Sequence, residues 1–94
     1  MSAVEIRVAT AQDLPAVVRL LADDTLGATR ERYADPLPDE YIRAFAAMQA
    51  QGGNHLLVAE IGGAIVGCLQ LTVLPGLSRQ GAIRGQIEGV RVAS

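Results

Sequence analysis

Glu88 is the ionisable residue whose surroundings best suit it to chemistry. Over Gln86–Ala93, strict alternation puts Glu88, Val90 and Val92 on one strand face and Ile87, Gly89 and Arg91 on the other. A carboxylate on an apolar face is desolvated, which raises its pKa toward neutrality and suits a general base acting directly or through water. The alternative is a solvent-facing or paired strand carboxylate, with Arg84 or Arg91 as partner. A second group lies in Thr25–Asp39, where Arg30, Glu31, Arg32, Tyr33 and Asp35 form a mixed-charge run. Such a run can select an amine or a carboxylate, but is more often a solvated connection. Arg79 and Arg84, just before the last strand, suit an anionic group of a ligand, or are plain surface arginines.

Other chemistries are excluded by what is missing. Cys68 is the single cysteine, so neither a disulfide framework nor a multi-cysteine zinc site is available. His55 is the single histidine, and no metal site is expected. All eight basic residues are arginine, which removes a lysine nucleophile or Schiff base. Ser78 lacks an elbow motif, so a Ser-His-Asp triad is rejected. A net charge of −2 and a 3% aromatic content argue against broad nucleic-acid binding and base stacking. No signal peptide or membrane span is recognised, and the expectation is a soluble cytoplasmic protein.

The elements that must position these residues fit one small domain of 94 residues, half of them hydrophobic. Glu5–Ala9 reads as a strand. Thr10-Ala11-Gln12-Asp13 has the form of a capping box, and Leu14, Val17, Val18 and Leu21 make one apolar stripe on the helix that follows. That helix fades by Thr25–Gly27, and Ala28–Pro38 reads as irregular. Asp39–Gln51 reads as a second helix, with Tyr41, Phe45 and Met48 on one face. His55–Ile61 and Ala64–Leu74 form a hairpin around Gly62-Gly63. Pro75–Gly85 is expected as a loop and Gln86–Ala93 as the last strand. The order is β-α-α-β-β-β, an α+β domain with helices packed on a mainly antiparallel sheet.

Three stretches resemble the GNAT superfamily of N-acetyltransferases. "EIRVATAQDLPAVVRLL" is similar to the family's first strand and capped helix, "HLLVAEIGGAIVGCLQLTVLP" to its second and third strands, and "IEGVRVAS" to its fourth. The resemblance spans Glu5–Ser94. The family's basic, Gly-rich pyrophosphate loop follows the fourth strand, and this sequence stops at Ser94, so the resemblance implies the N-terminal half of one such domain, truncated after strand 4. It implies acetyl-CoA as co-substrate and acetyl transfer to an amine of a small molecule or peptide. It assigns Glu88 as general base, Val90, Arg91 and Val92 to the cofactor's pantetheine arm, and Arg30 and Tyr33 to the acceptor.

Two readings follow. In the first, this chain is the acceptor-side half of an acetyltransferase and is nearly inactive alone. In the second, it is a non-catalytic α+β interaction module that dimerises through its exposed last strand. Neither calls for nucleic acid or membrane. Both allow a homodimer or association with a C-terminal half.

Overall fold

The structure, a computed structural model, describes residues 3–94. Strand β1 (Glu5–Val8) gives way to a 3-10 turn over Ala11–Asp13, which runs into helix α1 (Leu14–Ala22). Asp13 builds that junction. Its carboxylate accepts from the Thr10 backbone N–H at 2.7 Å and from the Thr10 hydroxyl at 3.2 Å, the reciprocal half of the expected capping box. Pro15 stands in the first turn of α1, where a missing N–H leaves no hydrogen bond unmade. Leu14, Val17 and Val18 of the predicted stripe are buried and Leu21 is half-buried, while Leu20, outside that stripe, is buried as well, so α1 buries the predicted face widened by Leu20.

Helix α1 itself already ends at Ala22; helix α2 (Thr25–Arg30) covers Thr25–Gly27, where the first helix is expected to fade, and the first three residues of the stretch read as irregular. Its six residues are too few to display a helical period. Asp24 caps it, the carboxylate accepting from the Gly27 N–H. Gly27 is buried, and a Cβ there would collide with the Leu21 carbonyl oxygen, so α1 and α2 meet backbone to backbone. Helix α3 (Asp39–Gln51) has the predicted bounds and ends at Gly52, whose φ of 77° favours glycine.

Strands β2 (Asn54–Ile61) and β3 (Ala64–Pro75) form the predicted hairpin. Gly62 (φ 55°) and Gly63 (φ 83°) both take the left-handed conformation that a tight two-residue turn needs. Strand β4 (Ile83–Val92) starts three residues earlier than expected, because Ile83 pairs with Pro75 and Arg84 with Leu74. The sheet is antiparallel throughout, in the order β1-β2-β3-β4.

Helix α1 covers one face of this sheet. Ala9, Val17, Leu20, Val58 and Cys68 form the core there, with Leu21, Leu56 and Ile65 packed against it. On β1 the residues turned to this face are Arg7 and Ala9, while Ile6 and Val8 are exposed on the other. Arg7 lies at the rim of the core and gathers two carboxylates. Its guanidinium holds Asp13 with paired hydrogen bonds of 2.7 and 2.9 Å and donates to one oxygen of Glu60 at 2.8 and 3.3 Å. The fork on Asp13 outweighs the opposing effect of burial, and the Asp13 carboxyl is held down at about 2. This network joins β1, β2 and the start of α1.

Candidate functional site

Strand β4 does not alternate as its sequence suggests. Glu88 pairs with Gln70 and Arg91 with Cys68, so Gly89 and Val90 together stand opposite Leu69. This is a β-bulge, and Gly89 takes the left-handed conformation (φ 61°) that glycine supplies at such a place. The extra residue resets the two-residue period. Glu88 and Arg91 share the face of Gln70 and Cys68, whereas Val92, opposite Gly67, lies on the other. The expectation that Glu88 shares an apolar face with Val90 and Val92 is therefore corrected. Glu88 is exposed, and its carboxylate accepts from the Gln86 side-chain amide.

Nor is Glu88 paired with Arg84 or Arg91. Arg91 turns to α2: its Nε lies 3.2 Å from the Asp24 carboxylate, and its Nη1 donates to the Val90 carbonyl at 2.9 Å. Asp24 thus caps α2 and anchors β4 to it. Beneath the bulge, the Cys68 thiol faces the Gly89 carbonyl at 3.6 Å. Burial pushes that thiol up, so it stays protonated and neutral. Val90 and Val92 are exposed on the outer strand of the sheet, and among the described residues no strand pairs with the free edge of β4.

The stretch after α2 is tied down by Tyr41 of α3. The Tyr41 hydroxyl accepts from the Arg32 N–H at 2.9 Å and donates to the Glu31 carboxylate at 2.7 Å. Desolvation pushes its pKa up, which keeps it the donor in that pair. Tyr33 lines an open cavity of about 550 Å³ with Arg19, Asp23, Ile65, Ala93 and Ser94. The fold therefore brings Tyr33 to the end of β4. Arg30, exposed at the end of α2, is not among the residues of that cavity.

No protein-family model and no curated protein matches the chain. Solved structures do. A transcriptional regulator from Bacillus halodurans C-125 is 51% identical, with a TM-score of 0.92, over 98% of this chain and 61% of that one. A putative acetyltransferase from Agrobacterium tumefaciens str. C58 is 28% identical, with a TM-score of 0.79, over 96% of this chain and 59% of that one. The chain has the GNAT acetyltransferase fold. A predicted acetyltransferase from Clostridium acetobutylicum, solved with acetyl-CoA, shares this fold at 17% identity and a TM-score of 0.65, over 96% of this chain and 60% of that one. The chain thus spans about 60% of the length of the structures it matches.

Within this GNAT fold, Glu88, Val90, Arg91 and Val92 stand together on β4, divided by the bulge. Two contributors lie outside the sequence-predicted set. Gly89 makes the bulge; the signal that could have found it is an isolated glycine inside a strand pattern. Tyr41 fixes the Glu31–Arg32 backbone and reads in sequence only as an apolar position on α3. Among the described residues, no helix is long and apolar enough to cross a membrane.

Proposed function

We propose that this chain forms the acceptor side of an enzyme that moves an acetyl group from acetyl-CoA to an amine. The observation that carries the reading is the bulge at Gly89–Val90, next to Glu88, on the outer strand of the sheet that the described residues form. Main-chain groups on such a strand fit an extended pantetheine arm, which can lie beside β4 as a strand would. When bound, acetyl-CoA supplies the activated thioester. The backbone of Val90, Arg91 and Val92 holds the arm, and donors at the bulge polarise the thioester carbonyl. Glu88, exposed and free of arginine partners, takes the proton from the acceptor's ammonium, directly or through one water. Tyr33, with Arg30 further out, contacts the acceptor. The 28% identity to the putative acetyltransferase from Agrobacterium tumefaciens str. C58 supports the same reading.

Calorimetric titration with acetyl-CoA tests it, on this chain alone and on the chain joined to the part of the Agrobacterium acetyltransferase that it does not span. We expect binding and acetyl transfer in the joined protein, with Glu88→Gln slowing transfer about 100-fold or more. Turnover unchanged by that substitution over pH 6–9 removes Glu88 from the mechanism. No acetyl-CoA binding in either form overturns the proposal. The position of β4 as the outer strand among the described residues also supports a second reading, a non-catalytic module in which β4 pairs with another copy. A gel-filtration dimer that Val90→Pro dissociates would favour it.

A further inference from the structure

The tip of the β3–β4 hairpin has no part in the transfer chemistry above. There the chain turns over Ser78–Gly81, with Arg79 (φ 53°), Gln80 (φ 62°) and Gly81 (φ 79°) all left-handed. Beside the turn is a cavity of about 600 Å³ lined by Gly76, Ser78, Arg79, Ala82, Ile83 and Arg84. Both arginines are exposed, and neither belongs to an ion pair among the described residues. Pro75–Ile87 contains no acidic residue, whereas all ten acidic residues lie elsewhere among the other six arginines. The hairpin tip is thus the cationic end of a chain with net charge −2, and its local field attracts anions. Two guanidinium groups at one cavity offer the planar, paired donors that phosphate and carboxylate oxygens accept bidentately.

The register relates this cavity to Glu88. Arg84 pairs with Leu74, Gln86 with Thr72 and Glu88 with Gln70. Arg84, Gln86 and Glu88 therefore line one face of β4. At ~3.3 Å per residue, Arg84 and Glu88 stand roughly 13 Å apart along the strand.

We propose that the Arg79–Arg84 cavity binds the phosphate or carboxylate of an elongated acceptor whose amine reaches Glu88. The anion site stands by itself; assigning its anion to the acceptor rests on the transfer reading above. The site fits a compact acceptor poorly, because the anion and the amine must span most of the distance between Arg84 and Glu88.

Amide NMR on the full chain, titrated with inorganic phosphate at constant ionic strength, tests the site. Saturable shifts are expected over Gly76–Arg84. The Arg79→Gln/Arg84→Gln variant should bind phosphate at least ~10-fold more weakly, with resonances outside the hairpin unmoved, which reports that the fold survives. Non-saturable shifts, or equal affinity in the variant, would overturn the site. A second arm compares aminooctyl phosphate with aminoethyl phosphate. The longer amine should bind several-fold more tightly, about 3-fold or more, and lose that advantage in Glu88→Gln. Equal affinity for the two would overturn the assignment to an elongated acceptor. Neither arm needs acetyl transfer, so failure of the transfer reading and failure of the anion site are separately visible.

Discussion

Asp13→Asn should destabilise the chain near neutral pH and do almost nothing in strong acid. The Asp13 carboxyl is held at about 2 against an ordinary 3.8, first by its hydrogen bonds to Arg7 and then by those from Thr10, with burial opposing. A difference of roughly 1.8 units corresponds to ~2.4 kcal/mol as a ceiling. The Arg7 side chain is 31% exposed, so water screens the pair and roughly 1–2 kcal/mol is the expected contribution. The sign follows from the direction of the shift. A depressed carboxyl contributes in full above its unfolded value and loses that contribution as pH falls through the folded one. About half should be gone near pH ~3 and nearly all by pH ~1. Asparagine keeps the shape and one acceptor oxygen, and Glu60 still holds Arg7 at 2.8 Å, so the guanidinium is not left unpaired. Urea unfolding followed by circular dichroism, on both proteins near pH ~7 and near pH ~2.5, measures the difference. A gap of roughly 1–2 kcal/mol that shrinks by more than half at the lower pH is expected. An equal gap at both pH values would mean that Asp13 acts through packing and not charge, and would refute the reasoning.

Three further outcomes follow from the backbone and the core. Gly27→Ala should cost about 1–3 kcal/mol despite its better helix propensity, since the new Cβ meets the Leu21 carbonyl; a stabilised variant in thermal melts would show that α1 and α2 separate easily. Gly89→Ala should cost about 1–2 kcal/mol from the left-handed backbone alone, because its Cβ would find ordinary contact with Leu21 at 3.5 Å; unchanged stability would mean that β4 runs without the bulge. Cys68, buried and with its pKa pushed up by desolvation, should react with a thiol reagent at least ~100-fold more slowly in the folded chain than in urea; equal rates would place the thiol at the surface.

What was legible in the sequence was the part governed by local rules. The α1 stripe, the Thr10–Asp13 junction, the Gly62-Gly63 turn and the bounds of α3 each follow from a few adjacent residues, and the structure keeps them. Helix α2 escaped because its stability comes from tertiary contact: Asp24 caps it, and Gly27 lets it press on the backbone of α1. The start of β4 escaped for a similar reason. Arg84 and Gly85 have weak strand character, and it is pairing with Leu74 and Val73 that makes them strand.

That Glu88, Val90, Arg91 and Val92 share one strand was legible; which way they face was not, and one glycine accounts for the difference. Reading β4 as regular puts Glu88 on the face of Val92, where a buried, raised carboxyl would follow. The bulge instead gives Glu88 the face of Arg91, yet leaves it exposed, while Arg91 is drawn to Asp24 and the cap of α2. The bulge therefore separates two tasks along one strand. Residues before it, from Arg84 through Glu88, present polar groups in a line that an extended ligand can follow. Residues after it tie the strand end to α2 and leave the main chain of Val90 and Val92 at the free edge. A strand with unbroken alternation could not divide its faces in this way, so Gly89 is the residue on which the proposed division between acceptor and cofactor depends.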